Sequence, residues 1–97
     1  MRNLKQIQNI LASSKPELRK RYKVRELSIF GSYSRGEQKK KSDVDILVRF
    51  NPNATLFDFV GLGNYLEEKL KLKVDVVSEN GIRPELKSSI VKDVVRI

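Results

Sequence analysis

Apolar residues recur at helical spacing in three stretches of the chain, a period that places them on one face of a helix. The three sets are Leu4, Ile7, Ile10 and Leu11; then Leu56, Phe59, Leu62, Leu66 and Leu70; then Leu86, Ile90 and Val94. They predict an N-terminal helix that reaches Tyr22, a second helix over 56–71, and a last helix that begins at Pro84. Because Pro16 lies inside the predicted N-terminal helix, we expect a break in that helix near Ser13.

Three short segments, 26–30, 43–50 and 73–77, are rich in strand-forming residues. The second alternates and therefore has two distinct faces. One face carries Val44, Ile46, Val48 and Phe50, and the other carries Asp43, Asp45, Leu47 and Arg49. The order helix, strand, strand, helix, strand, helix predicts an α/β (α+β) fold, a small mixed sheet of three to four strands flanked by helices. We expect residues 1–97 to form a single domain.

Composition narrows the class of protein. The 97 residues are 39% hydrophobic and 33% charged, values typical of a folded soluble domain. Apolar runs fall short of the roughly 20 residues that span a membrane, and no signal-peptide core follows the N-terminus, so a cytoplasmic location without membrane attachment is expected. Cysteine and histidine are both absent. Disulfides, zinc sites, cysteine nucleophiles and Ser-His-Asp triads are therefore excluded.

The net charge of +8 is concentrated near the N-terminus. Residues 1–25 contain eight basic side chains and one acid, Glu17. The positive electrostatic field of these side chains attracts any anion, whether nucleic acid, a nucleoside triphosphate or an acidic protein. Tyr22 and Tyr33 are the aromatic residues near enough to stack on bases. The run of lysines at 39–41 precedes the second strand and is interpreted as a solvated loop.

Three aspartates are candidate metal ligands. Strand alternation directs Asp43 and Asp45 to the same face, with Cα atoms about 6.5 Å apart. Asp75 joins them if the third strand lies beside the second. Hard oxygen ligands without histidine or cysteine favour Mg²⁺ or Mn²⁺ and a phosphorylated substrate. Taken alone, each acid is explained as well by a solvent-exposed strand edge.

The segment from Gly31 to Gly36 follows the first strand directly and is a candidate phosphate cradle. Its backbone N–H groups can point at an anion, Ser32 and Ser34 add hydroxyl donors, and Arg35 adds a charged donor. The segment lacks the patterns of a P-loop and of a dinucleotide-binding turn. An ordinary Gly-Ser turn is the alternative, and for Arg35 a role on the surface is as well supported as a phosphate contact.

The spacing of these features resembles a known family. Residues 31–45 read GSYSRGEQKKKSDVD, which is similar to the G-S-x10-D-x-D signature of the minimal nucleotidyltransferases (MNT proteins) of the DNA polymerase beta-like superfamily. The family's later acid matches Asp75, and its C-terminal helix is similar to 83–86. Ser34 and Tyr33 depart from the residues common in the family, but neither is a metal ligand.

The resemblance implies a nucleotidyltransferase fold and a reaction. Asp43 and Asp45 would bind two Mg²⁺ ions that hold a triphosphate, with Gly31 and Ser32 on the outer phosphates. Asp75 would complete the second metal site and act on the acceptor hydroxyl. By the same resemblance the donor is ATP, and the acceptor is a tyrosine of a HEPN-type ribonuclease toxin. Addition of AMP would neutralise the toxin, which makes the chain an antitoxin.

Two rival functions remain open from the sequence. The first is a non-catalytic antitoxin that silences its partner by covering it. The second is transfer of a nucleotide to RNA, or binding of nucleic acid, for which the basic N-terminal region would track the phosphate backbone. A protein acceptor is favoured because the chain contains no separate nucleic-acid substrate domain.

Overall fold

A computed structural model describes residues 2–97 of the chain, and Met1 lies outside them. The elements in chain order are α1 Leu4–Tyr22, β1 Val24–Phe30, α2 Ser32–Arg35, β2 Val44–Phe50, α3 Leu56–Leu70, β3 Val74–Ser78, a 3-10 turn at Glu79–Gly81, α4 Pro84–Lys92 and β4 Val95–Arg96. All six predicted elements are present. The segment after the first strand, which the sequence allows to open a short helix, forms α2, and the structure adds the 3-10 turn and β4. None of the helices formed by the described residues is long and apolar enough to cross a membrane.

The break predicted in the first helix is wrong, because α1 continues through Pro16. A proline inside a helix costs about 3 kcal/mol. Ile7, Leu11 and Leu18 are all fully buried, on both sides of the proline, and the burial of each contributes about 1.5–3 kcal/mol. Packing of the whole apolar face therefore outweighs the local cost and keeps the helix in one piece.

The last helix is shorter than predicted, since α4 ends at Lys92 and Val94 lies beyond it. The chain turns at Asp93 and then forms β4, whose Val95 pairs with Ile29 of β1. The helical spacing of Val94 was therefore misleading. A pairing partner almost 70 residues away in the sequence makes this end of the chain a strand.

The sheet has the order β3-β2-β1-β4. β1 is antiparallel to both β2 and β4, and β2 is parallel to β3. The third predicted strand therefore does lie beside the second. Two register pairs follow that matter for the site, because Asp45 is opposite Phe30 in β1 and opposite Asp75 in β3.

The sheet has an inner face, which α1 and α3 cover, and an outer face. Inner-face and helix residues form the core: Ile7, Leu11, Leu18, Leu27, Ile29, Val44, Ile46, Val48, Leu62, Leu66 and Leu70. The predicted alternation of the second strand is confirmed by Val44, Ile46 and Val48, which have no exposed surface. Asp45 and Arg49 lie on the outer face, at least partly exposed.

The capping box predicted at Thr55 and Asp58 begins α3. The Asp58 carboxylate accepts a hydrogen bond from the Thr55 backbone N–H at 2.9 Å and one from the Lys23 ammonium at 3.2 Å. The hydrogen bond from the Thr55 backbone is the main cause that holds the pKa of Asp58 below its usual value; burial opposes it, and Lys23 lowers the pKa further. The carboxylate thus fixes the start of α3 and ties it to the end of α1.

Candidate active site

The first component of the site is the bend after β1. Gly31 has φ 76° and ψ −152°, a conformation that is essentially restricted to glycine. Its carbonyl oxygen accepts hydrogen bonds from the Ser34 hydroxyl at 2.8 Å and from the Arg35 backbone N–H at 3.3 Å. Tyr33 is only 1% exposed and anchors α2 in the core. Ser32, the first residue of α2, is partly exposed beside the bend.

The bend lies directly against the second component, the carboxylate of Asp45. A Cβ atom built on Gly31 would overlap Asp45 Oδ2. Two features of the backbone therefore demand glycine at this position, its positive φ and the contact with Asp45. The predicted proximity of the Gly-Ser bend to the aspartates is present for Asp45, because the end of β1 meets the beginning of the antiparallel β2.

The three predicted aspartates lie around one end of the outer face. Asp45 is half-buried, Asp75 is its exposed neighbour on β3, and Asp43 is exposed just before β2 begins. Burial raises the pKa of Asp45, the negative charges of Asp75 and Asp43 raise it further, and Arg35 partly opposes them. The carboxylates are therefore close enough to repel one another.

The valines around Asp75 predict a short buried strand, but this prediction is wrong, because β3 is an edge strand and the Asp75 side chain is exposed. Because the Asp75 side chain is exposed, its ionised carboxylate avoids the desolvation cost of burial and is accessible to a ligand.

Within residues 2–97, no three acidic side chains converge on a single point as a preformed metal site. Asp43 and Asp75 are nevertheless close enough to Asp45 for their charges to raise its pKa. Like charges held together raise one another's pKa unless a cation lies between them. The ligand set fits Mg²⁺ or Mn²⁺, which prefer carboxylate oxygens and retain several waters. No basic side chain in the described part of the chain forms an ion pair with these three acids.

Arg35 ends α2 and lies between several acids. Its guanidinium contacts Glu37 at 3.4 Å and Asp93 at 3.3 Å, and its charge lowers the pKa of Asp45. Arg35 is therefore beside the candidate site, as the phosphate-cradle hypothesis requires. Asp93 was not singled out from the sequence, because only the return of the chain along β1 brings it to α2.

A second set of basic residues surrounds Asp43. Lys40, Lys41, Lys71 and Lys73 line a cavity of about 510 Å³ with it. The sequence showed only the lysine run at 39–41, which was interpreted as a solvated loop. The parallel pairing of β2 and β3 brings the lysines before each strand together at the edge that carries the aspartates. The cluster makes this edge attractive to anions.

The two tyrosines considered for base stacking are both engaged. Tyr33 is buried, and the Tyr22 ring packs on the Tyr65 ring with centroids 5.5 Å apart. The Arg21 guanidinium lies 5.3 Å from the centre of the Tyr22 ring. Tyr33 is therefore unavailable to a base, whereas Tyr22 is partly exposed and lines a cavity with Tyr65.

The sequence profile of the nucleotidyltransferase domain matches residues 11–97. The chain belongs to the nucleotidyltransferase family. Protein adenylyltransferase MntA of Thermococcus cleftensis is 43% identical over 97 residues, which cover 100% of this chain and 98% of that relative. The family resemblance stated from the G-S-x10-D-x-D spacing is therefore confirmed, and the chain is an enzyme of the nucleotidyltransferase class.

Solved structures of the family share its architecture. A candidate minimal nucleotidyltransferase superposes with a TM-score of 0.84 at 31% identity, covering 99% of this chain and 97% of that one. A toxin-antitoxin structure with AMP-PNP superposes with a TM-score of 0.70 at 26% identity, covering 87% of this chain and 69% of that one. The predicted nucleotidyltransferase fold is confirmed by these similarities.

Proposed function

We propose that this nucleotidyltransferase transfers AMP from ATP to a tyrosine hydroxyl of a HEPN-type toxin and thereby acts as an antitoxin. One observation carries the proposal: the Gly31 backbone packs on the Asp45 carboxylate, with Asp75 on the neighbouring strand. The groups that would bind phosphate and metal are thus side by side. The chain's similarity to a protein adenylyltransferase supports transfer of AMP. Its similarity to a toxin-antitoxin structure with AMP-PNP supports ATP as the donor and a toxin as the partner.

The donor side of the site is the bend. The Gly31 and Ser32 backbone N–H groups and the Ser32 hydroxyl would bind the outer phosphates, and Arg35 would exchange its contacts with Glu37 and Asp93 for a phosphate. Arginine suits this role because its planar guanidinium can donate two parallel hydrogen bonds to phosphate oxygens.

The metal-binding side is the set of Asp43, Asp45 and Asp75, which would hold two Mg²⁺ ions, or Mn²⁺. When bound, these ions neutralise charge on the triphosphate and on the attacking and departing oxygens. Asp45 would be central to this set because it is half-buried and its charge is influenced by both other acids. Asp75 is exposed on the edge strand, so the acceptor would approach from that edge.

The reaction exchanges one phosphorus–oxygen bond for another. The acceptor oxygen bonds to the α-phosphorus, the bond from that phosphorus to the bridging oxygen breaks, and pyrophosphate leaves. Asp75 lies on the acceptor side and is the group that would take the hydroxyl proton. Catalysis then consists mainly of positioning and charge stabilisation, which a single domain of residues 1–97 can supply.

The test is transfer of label from α-labelled ATP, with Mg²⁺, to a cognate HEPN-type toxin. Label is expected on the toxin, on a tyrosine by mass spectrometry, and chelation of the metal should abolish it. The matched control is Asp43→Asn with Asp45→Asn, which removes two ligands without removing side-chain volume. This variant should still bind the toxin in size-exclusion chromatography but transfer no label.

Three outcomes would contradict the proposal in different ways. Absence of label on protein and RNA with all four nucleotides would reject transferase activity on these acceptors. Label on RNA alone would favour the RNA acceptor. Full protection against the toxin by the double asparagine variant would favour a non-catalytic antitoxin.

A further inference from the structure

A second cavity lies on the outer face of the sheet, further along the strands from the aspartates. It has a volume of about 400 Å³. It is lined from the sheet and the segment after it by Glu26, Ser28, Leu47, Arg49, Glu79 and Arg96, and from the C-terminal part of the chain by Val91 and Val94. None of these residues was singled out by sequence as part of a site. The volume is in the range of small-molecule sites.

The cavity has an apolar part and a charged rim. Leu47, Val91 and Val94 are its apolar lining. Arg49 on the rim contacts Glu79 at 3.0 Å and Glu26 at 3.9 Å. A few polar groups around an apolar surface are typical of sites that orient a small organic ligand.

The position of the cavity relative to Asp45 is set by the strands. Leu47 follows Asp45 by two residues on the same face of β2, a separation of about 6.5 Å. Ser28 is the register partner of Leu47, as Phe30 is of Asp45. The cavity therefore begins one strand repeat from the Asp45 carboxylate, which the proposed function assigns to metal binding beside the triphosphate.

The proposed function already gives an occupant to the space on each side of Asp45 across the strands. Across the strands on one side lies the Gly31 bend, where the leaving phosphates would be, and on the other lies Asp75, where the acceptor would enter. Attack in line with the leaving group occupies this cross-strand axis. The nucleoside attached to the same phosphorus must leave in another direction, and the cavity along the strands is open to it.

We propose that this outer-face cavity binds the nucleoside of the donor triphosphate, an inference that rests on the proposed function. The apolar residues would pack on the base, and the Arg49 or Arg96 guanidinium would stack on its face. The Glu26 and Glu79 carboxylates only accept hydrogen bonds, so they match an amino group of a base or the hydroxyl groups of ribose. Val91, which is 55% exposed, would gain cover from the ligand.

The test compares two ligands that share the phosphates but differ in the nucleoside. ATP and inorganic tripolyphosphate, each with Mg²⁺, are titrated calorimetrically into the protein. The variant is Val91→Gln with Val94→Gln, which makes the apolar part polar without changing charge. The Kd for ATP is expected to rise about tenfold, the loss of two modest apolar contacts, while the Kd for tripolyphosphate changes less than twofold.

The matched control is Leu86→Gln on α4, the helix that carries Val91; Leu86 is 53% exposed and outside the cavity lining. It should leave both Kd values unchanged. Circular dichroism of the double variant checks that the fold is retained, and Arg49→Gln offers a second way to alter the cavity from the sheet side, with the same expected selectivity for ATP.

The outcomes separate this inference from the proposed function. If wild-type protein binds neither ligand, both fail. If wild-type protein binds both ligands and neither cavity variant weakens ATP more than tripolyphosphate, the nucleoside lies elsewhere and only the inference fails. If the variants leave ATP binding intact but raise KM for the acceptor protein, the cavity holds the acceptor and the inference is overturned.

Discussion

The two faces of the sheet are built from the same strands and yet have opposite properties. On β2, Val44, Ile46 and Val48 face the helices with no exposed surface, whereas Asp45 and Arg49 between them face outward. Apolar burial on the inner face stabilises the folded state. The negative charges held close together at one end of the outer face destabilise it. A period of two thus lets one strand contribute to the core and to the site without conflict.

The difference extends to the way each face meets the rest of the chain. α1 and α3 cover the inner face with fully buried leucines and isoleucines. The outer face faces α4, in which every residue is at least partly exposed, and it retains the 400 Å³ cavity. The inner face is therefore buried by the helices, whereas the outer face remains accessible to ligands. Substitutions on the two faces should have separable effects.

The largest effect is expected from Leu66→Ala on the helix that covers the inner face. Leu66 has no exposed surface, so the substitution should lower the free energy of unfolding by about 2–5 kcal/mol. Urea unfolding measures it. Val60→Ala on the same helix, 52% exposed, is the control and should change stability by less than about 0.5 kcal/mol. Equal losses for the two variants would show that the inner face is not the main source of stability.

Gly31→Ala tests the contact between the bend and Asp45. The added Cβ atom would overlap the Asp45 carboxylate and displace it. The backbone conformation of Gly31 also disfavours alanine, at a cost of about 1–3 kcal/mol. A shift of the carboxylate by about 1 Å should lower the transfer rate about 100-fold. Gly36→Ala is the control, because Gly36 also has a positive φ of 70° but nothing within 4 Å of the added atom. A similar loss of transfer in both variants would mean that strain, rather than the contact, matters.

Asp45→Asn should have a smaller and opposite effect on stability. The pKa of Asp45 is raised above the ordinary 3.8, so its contribution is fully favourable below that pH and is lost as pH rises through the folded-state pKa. At pH 7 the neutral amide should therefore raise Tm; a gain of about 1 kcal/mol corresponds to about 4–8 °C in a domain of this size. Thermal unfolding without divalent metal measures the change.

The pH dependence is the control for the asparagine variant. Well below pH 3.8 the wild-type carboxylate is protonated in both states, so the difference in Tm should disappear. Addition of Mg²⁺ should stabilise the wild type more than the variant, since a ligand stabilises only the form that binds it. A lower Tm for Asp45→Asn at pH 7 would contradict the view that ionisation of this carboxylate costs stability.

The smallest effect is expected from Asp58→Asn, which lies away from the site at the start of α3. The lowered pKa of Asp58 means that its contribution is present above the ordinary 3.8 and is lost as pH falls through the folded-state value. The variant should have a lower Tm at pH 7, with a difference that shrinks in acid. Glu85→Gln in the first turn of α4 is the control. A pH-independent difference for Asp58→Asn would exclude the charge as the cause.

The sequence predicted most of the local structure because the relevant signals are short-range. Helical spacing of apolar residues, the Thr55–Asp58 capping box and the alternation of β2 each depend on neighbours within a few positions. The bend at Gly31 and the aspartate pair could also be assigned in this way, and their spacing was enough for the family. Where a local signal failed, at Pro16 and at Val94, packing or pairing with distant residues was decisive.

Only the tertiary structure decided which of these residues meet. The parallel pairing of β2 with β3 makes Asp75 the neighbour of Asp45, and the return of the chain along β1 brings Asp93 to Arg35. The outer-face cavity likewise combines residues from both ends of the chain. Such contacts depend on strand order, which the burial of the entire core determines and which no short segment encodes by itself.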